Sequence, residues 1–394
     1  MRSVRVALIS PLAEEQWHSM DLCAEMLLDT LRRHHEPHIR AERVVPRLVR
    51  RFERLPRAGR HRIAVRADRL LNRFGDFPGH LLRSRKRFDL FHLTEHSYGQ
   101  LAHVLPARRT IVTCHDLEAF RCLLEPEKAP RSWMYRAMAR QQMHAVRSAA
   151  RVVCDTHAVR DELLAFGLAK PERVTVVHIG THPASSPDPD PVADAKAEAL
   201  LGPAGLTVDL LHVGSLMPRK RIDVLLRVFA ALRERVPGVR LIRAGGGFLP
   251  EHLELVRSLG LEGSILVLPF VEREVLSAVY RRAALALQPS EVEGFGMPVP
   301  EAMACGTPVV ASDIPVLREV GGSLARYCPV GDVPAWTEAV VELLEERRTQ
   351  PERWRARRAA NVEHGALFSW RVHARKMVEV YEEVLSASNH PVHG

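Results

Sequence analysis

Short apolar runs that stop at polar residues are the feature that most narrows the fold of this chain. Residues 4–9, 88–93, 110–114, 151–154 and 174–177 are runs of this kind, and residues 20–31, 131–148 and 158–166 between them carry helical periodicity. The pattern breaks at the Pro/Ser/Asp-rich stretch 183–191 and then restarts. Runs 209–213, 239–242, 265–271, 285–288 and 308–311 alternate with helical stretches such as 222–235, and the tail reads as helices over 333–347 and 369–385. Continuous apolar strands alternating with helices predict parallel sheets covered on both faces. The expectation is α/β with two doubly wound Rossmann-like domains: residues 1–183, a linker over 184–206, and residues 207–368, with a last helix near 369–387 packing back on the first domain. In such sheets ligands bind outside the carboxyl ends of the strands, where the polar motifs lie.

A length of 394 residues suits two cores better than one. The apolar start, residues 4–9, is too short for the hydrophobic core of a signal peptide, and no apolar run reaches the length of a membrane span. The six cysteines (Cys23, Cys114, Cys122, Cys154, Cys305 and Cys328) form no C-x-x-C pair and read as buried, reduced thiols. A cytoplasmic protein is expected. The net charge of +9 is concentrated between residues 40 and 87, where arginines including Arg47, Arg50, Arg51, Arg54, Arg57, Arg60, Arg66, Arg69 and Arg73 outnumber the acids. Val44, Leu48, Phe52 and Leu55, and then Ile63, Leu70, Leu71 and Phe74, recur among them at helical spacing. Besides a solvated surface, this segment suits an anionic membrane face. Nucleic acid is not expected, because stacking aromatics are sparse.

The densest chemistry lies in EGFGMPVPEAMACGTPVVASD, residues 293–313. Gly294 and Gly296 allow close backbone approach to a ligand, and Pro298 and Pro300 suit the first turn of a helix. A helix start of this kind turns free N–H groups toward an anion, while Glu293 and Glu301 can accept hydrogen bonds from hydroxyls. Amides for phosphate and carboxylates for sugar hydroxyls are what a sugar nucleotide needs. A second anion-binding segment runs from Gly214 to Lys220, placing Arg219 and Lys220 just before a helix, where they could neutralise a departing diphosphate. Arg221 reads as a surface residue. Gly245, Gly246 and Gly247 close the following strand.

With these motifs the chain resembles the group 1, or family 4, retaining glycosyltransferases with the GT-B fold, whose two domains face each other across a cleft. The residues that carry the resemblance are Pro289-Ser290 with the E-x-seven-E pair Glu293 and Glu301, GSLMPRKRIDVLL from Gly214, TCHDL from Thr113, and PFVEREVLSAVYRRA from Pro269. It covers essentially the whole chain and is tighter in the second domain. The resemblance implies that Glu301 meets the donor ribose, and that Glu293 with the amides of Gly294, Phe295, Gly296 and Met297 faces the donor sugar and phosphate. It further implies that Arg219 and Lys220 hold the diphosphate beside Gly214 and Gly245, and that Phe270 and Val271 meet the base. His115, with Asp116 beside it, would stand on the acceptor side and hydrogen-bond the transferred sugar. His115, Glu293, Arg219 and Lys220 form the expected catalytic set, with no metal and no cofactor beyond the donor substrate.

The sequence departs from the family pattern in the loop from Ser10, which lacks paired glycines, and at Ser215, where many relatives carry an arginine. It departs again at His178-Ile179-Gly180, where P-N-G is usual. Asp188-Pro-Asp190 spells the D-x-D of metal-dependent transferases but lies among prolines and reads as linker. The expected activity is metal-independent, retaining transfer of a hexose to a glycan or lipid-linked acceptor. GDP-mannose is favoured as donor because R-K-R-I-D resembles the form frequent among mannosyl- and related hexosyltransferases, in cell-envelope, exopolysaccharide or glycoconjugate synthesis at the inner membrane face. A sugar-nucleotide epimerase or hydrolase, or a non-catalytic nucleic-acid-binding protein using the arginine-rich segment, are the alternatives.

Overall fold

The first apolar run becomes β1 (Val4–Ile9) of a six-stranded parallel sheet. Its other strands are β2 (Ile39–Val44), β3 (Leu90–Leu93), β4 (Thr110–Cys114), β5 (Arg151–Cys154) and β6 (Val174–Val176), in the order β2-β1-β3-β4-β5-β6. A second six-stranded sheet holds β7 (Val208–Val213), β8 (Val239–Ala244), β9 (Ile265–Val267), β10 (Leu285–Gln288), β11 (Val309–Ser312) and β12 (Arg326–Cys328), in the order β12-β11-β10-β7-β8-β9. This is a computed structural model, and it describes residues 3–15, 17–54, 62–203, 205 and 207–389. Every strand pairing among the described residues is parallel, as expected of strands buried on both faces. The strand order reverses at β1 beside β3 in the first sheet and at β7 beside β10 in the second, which are the positions where doubly wound sheets open a crevice.

The chain divides into two compact units, residues 1–179 with 370–394, and residues 180–369. The last helix, Trp370–Asn389, belongs to the first unit, where it buries Met377 and Tyr381 and sets the Tyr381 hydroxyl 2.9 Å from Nδ1 of His92. In the second unit, Leu225, Leu226, Phe229 and Leu232 of the helix Ile222–Arg235 pack with Leu210, Leu241, Leu285 and Trp336 into a buried cluster. Each such side chain contributes roughly 1.5–3 kcal/mol through burial. That packing fixes the strand ends that carry the polar motifs. All six cysteines are buried and free of disulfides.

Several expectations are corrected. Edge strands β2 and β12 went unforeseen, and the run 265–271 leaves the sheet after Val267, so Phe270 and Val271 lie on the loop that follows. Val44 closes β2 and residues 45–50 have no regular structure, so the helical spacing read over 44–55 is not a helix; Leu55, Arg57 and Arg60 lie outside the described residues. The proline-rich stretch leads into a helix, Pro191–Leu201, because Asp190 caps it by accepting from Val192 N (3.1 Å) and Ala193 N (3.0 Å), and Pro191 occupies the first turn, where its missing N–H costs nothing. That cap also explains the second aspartate of the D-x-D sequence. Arginines between 40 and 87 also find more partners than their sequence neighbours suggest. Arg51 pairs with Asp76, Arg87 with Glu42, and Arg43 with both Asp21 and Glu25.

Candidate active site

In the second unit the polar residues converge where β7 and β10 lie side by side. After β7 the chain passes Gly214 and Ser215 into a single turn, Pro218–Lys220, and Arg221 then takes a left-handed conformation (φ 49°) as N-cap of the helix Ile222–Arg235. Such a backbone costs an L-residue roughly 1–2 kcal/mol. It is held by the Arg221 guanidinium gripping Asp223 (3.0 and 3.1 Å) and Glu291 (3.1 Å), so Arg221 is half-buried structure rather than free surface. The Glu291 N–H also donates to the Arg219 carbonyl at 2.9 Å, tying this turn to the loop after β10.

On that loop Glu293 is buried, and its Oε1 accepts from Lys220 Nζ at 2.6 Å and from Gln288 Nε2 at 2.7 Å. Burial alone would raise its pKa; Lys220, Ser290 and Arg219 outweigh that and hold the carboxyl below its ordinary value, so Glu293 is ionised. Gly296 follows at φ +79°, and a Cβ there would come within 2.6 Å of Leu317 Cδ2. Its glycine thus answers to backbone and packing as well as to any ligand. Phe295 turns inward onto Phe368, with centroids 5.6 Å apart. The helix Pro298–Ala304 then starts, and Glu301 in its first turn is buried with Tyr280 Oη at 3.3 Å and Arg273 Nη1 at 3.5 Å. For Glu301 burial wins, and its carboxyl is pushed up despite both partners. Gly245, φ +116°, closes against the end of β7, where a Cβ would lie 2.1 Å from the Gly214 oxygen. Phe270 is 78% exposed.

In the first unit a separate buried polar cluster collects at the ends of β3, β4 and β5. His115 sets Nδ1 2.5 Å from Asp155 Oδ2 and donates through Nε2 to the Thr94 carbonyl at 2.9 Å, with Glu95 Oε2 3.9 Å from the same Nε2. Burial would lower its pKa, but Asp155 and Glu95 reverse that and raise it to about 10, so the ring is an imidazolium. Both nitrogens are engaged within the unit. A sugar hydroxyl would meet a ring nitrogen of His115 by competing with Thr94 or Asp155. Asp116 Oδ1 accepts from Glu118 N at 3.0 Å and lies 3.8 Å from His96 Nε2.

The structure thus gathers Gly214, Arg219, Lys220, Gly245, Glu293, Gly296 and Glu301 in one unit and His115 and Asp116 in the other. Sequence reasoning gave no partner role to Gln288, Ser290, Arg273 and Tyr280 in the second unit, although the last three stand in the motifs that carry the resemblance, nor to Glu95, His96 and Asp155 in the first. Gln288, Ser290, Glu95, His96 and Asp155 lie at or just after strand ends, where a polar residue closing an apolar run was the available signal; Arg273 and Tyr280 lie on the helix Arg273–Arg282, which that signal does not reach.

Two parallel doubly wound sheets with this polar set at a switch point define the GT-B class, and solved structures of that class superpose on the chain. Sucrose-phosphate synthase from Thermosynechococcus elongatus matches with a TM-score of 0.74 at 21% identity, covering 98% of this chain and all (100%) of the other. Anabaena HepE, solved with UDP and glucose, gives 0.70 at 17% identity, covering 95% and 99%. The sequence matches the glycosyl transferases group 1 over residues 205–361 and the glycosyl transferase 4-like domain over residues 4–180. The chain belongs to this family of group 1 glycosyltransferases. The D-inositol 3-phosphate glycosyltransferase of Mycolicibacterium smegmatis is 33% identical over 310 residues, 74% of this chain and 66% of the relative. The protein of the same name from Thermobispora bispora is 32% identical over 314 residues, 76% and 71% respectively. This chain therefore spans about two thirds of the length of the curated relatives it matches.

Proposed function

We propose that the chain transfers a hexosyl group from a nucleoside diphosphate sugar to a hydroxyl acceptor with retention of configuration. The observation that carries this reading is the 2.6 Å pair of partly buried Lys220 with buried Glu293, set beside a helix start at the crevice of β7 and β10. Lys220, Arg219 and the amides at that helix start would take the charge that develops on the diphosphate, the work a metal does in other transferases. Glu301 would receive the ribose hydroxyls, the exposed ring of Phe270 would cover the base, and His115 with Asp116 would serve the acceptor side. Oε1 of Glu293 already accepts from two donors, which favours orienting the sugar over attacking it, and so favours front-face displacement.

None of these contacts reads the base. Several structural relatives were solved with UDP or ADP, which supports testing UDP- and ADP-sugars beside the GDP-mannose that the sequence favours. The relatives are named D-inositol 3-phosphate glycosyltransferases, which supports trying inositol phosphate as an acceptor beside lipid-linked glycans. No helix among the described residues is long and apolar enough to cross a membrane. Ile63, Leu70, Leu71 and Phe74 are nonetheless exposed on and just after the helix Arg62–Leu71, which fits a peripheral anionic membrane contact. A thermal-shift panel of UDP-, GDP- and ADP-sugars selects the donor, since binding raises stability with the logarithm of ligand excess. Product anomers are then read by proton NMR, with and without EDTA. Donor turnover that ignores every acceptor, or an inverted product, rejects the proposal; a glycosyl adduct on Glu293 trapped by rapid quench rejects the front-face step.

A further inference from the structure

The guanidinium of Arg243, at the end of β8, is fully buried, and no carboxylate pairs with it among the described residues. Burial pulls its pKa down to about 10, and its Nε has no hydrogen-bond partner. A buried charge without a counterion is expensive to keep. Beneath the same loop His212 is fully buried with both ring nitrogens unpartnered, and burial, Arg243 and Lys220 together hold its pKa near 3, so it is neutral and cancels no charge.

What Arg243 does hold is two backbone carbonyls. Nη2 donates to the Gly214 oxygen at 2.9 Å and Nη1 to the Gly246 oxygen, so one planar fork ties the loop after β7 to the loop after β8. Gly245 and Gly246, at φ +116° and +101°, make that approach possible. In a trans peptide the C=O and the N–H of one plane point opposite ways. Drawing both carbonyls inward therefore turns the N–H groups of Ser215 and Gly247 away from Arg243. Both residues are exposed, and neither amide has a hydrogen-bond partner among the described residues. Outward amides over a buried cation form a concavity suited to an anion. Ser215 itself brings no charge to the loop.

We propose that Arg243 is a positioning residue for the donor diphosphate, aiming the Ser215 and Gly247 amides at it and supplying from beneath the positive charge that Ser215 does not. This deepens, and rests on, the reading of this unit as the donor site. The test is isothermal titration of the full chain with UDP, GDP and ADP and with the matching monophosphates. Arg243→Met is expected to weaken the diphosphate about tenfold while the monophosphate changes by less than about twofold, because charge-assisted contacts are lost at the second phosphate. Arg243→Lys keeps a charge but not the fork, so the diphosphate-to-monophosphate ratio falls by about threefold. A merely structural Arg243 would weaken both nucleotides together and leave the ratio unmoved, which overturns the proposal. Should Arg243→Met fail to fold, Arg243→Lys decides in the same way. A wild type that binds none of the three diphosphates removes the donor reading itself; a wild type that binds, with an unchanged ratio in the variants, removes this proposal alone.

Discussion

Nδ1 of His115 lies 2.5 Å from Oδ2 of Asp155, both side chains buried, at the neighbouring ends of β4 and β5. The pair spends its strongest hydrogen bond on holding the ring in place. Any role for His115 in transfer is therefore that of a fixed imidazolium, and not of a base near neutrality.

The stability linked to this pair has a definite sign. The folded pKa of His115 is raised from 6.5 to about 10, so its contribution is fully present below pH 6.5 and disappears as pH climbs through about 10. Asp155→Ala should destabilise the protein on the order of 3–5 kcal/mol near pH 6, since it strands a buried partner. The gap from wild type should close toward pH 10. Urea unfolding at pH 6, 8 and 10 measures it, and a gap independent of pH contradicts the assignment of the charge to His115.

Lys220 and Glu293 behave as a unit with the opposite pH sign. The carboxyl of Glu293 is held below its ordinary 4.5, so the stability it contributes is present above that value and is lost as pH falls through the lower folded pKa. Lys220→Met leaves an unpaired buried carboxylate and should cost on the order of 3–5 kcal/mol at pH 7. Lys220→Met with Glu293→Gln should regain most of that stability while transfer stays lost. A double-mutant cycle on urea midpoints and initial rates checks both halves; recovery of activity in the double variant would show that the pair is structural only.

Much of this is legible in the sequence. β10 is four buried residues bounded by Ala283-Ala284 and Pro289, and Glu293 and Glu301 announce themselves by their spacing around glycine and proline. The missed strands share a physical reason. β2 (IRAERV) alternates buried and exposed positions at a sheet edge, so charged Arg40 and Glu42 break the apolar run, and β12 is three residues long with Arg326 exposed. The partners of the site residues were hidden because tertiary register alone brings Asp155 to His115 or Arg273 and Tyr280 to Glu301. Arg243 was hidden differently: inside Leu-Ile-Arg-Ala it reads as the solvent side of a strand, and only the fold shows that it is buried.

Glu301 gives a prediction specific to its assigned ligand. If its carboxylate receives the donor ribose, Glu301→Ala should weaken nucleotide binding about tenfold or more, the size expected of hydrogen bonds to a charged acceptor. The wild type should also prefer a ribonucleoside diphosphate to its 2′,3′-dideoxy analogue, and the variant should not. Competition titrations with the two analogues read this directly. A variant that still discriminates places the ribose elsewhere.

Gly296 tests whether the loop geometry is imposed by the fold before any donor arrives. Gly296→Ala puts a Cβ at φ +79° and within 2.6 Å of Leu317 Cδ2, in a core position where Leu317 is fully buried. Backbone strain of this kind costs on the order of 1–3 kcal/mol, and crowding a packed core adds to it. Leu317→Ala in the same chain removes the crowding but not the strained φ, so it should relieve only part of the Gly296→Ala penalty once its own cavity cost is subtracted. Thermal unfolding without nucleotide measures the fold's share. If Gly296→Ala leaves the melting temperature unchanged and harms only donor affinity, the glycine is kept for the ligand's approach, and the strain argument fails.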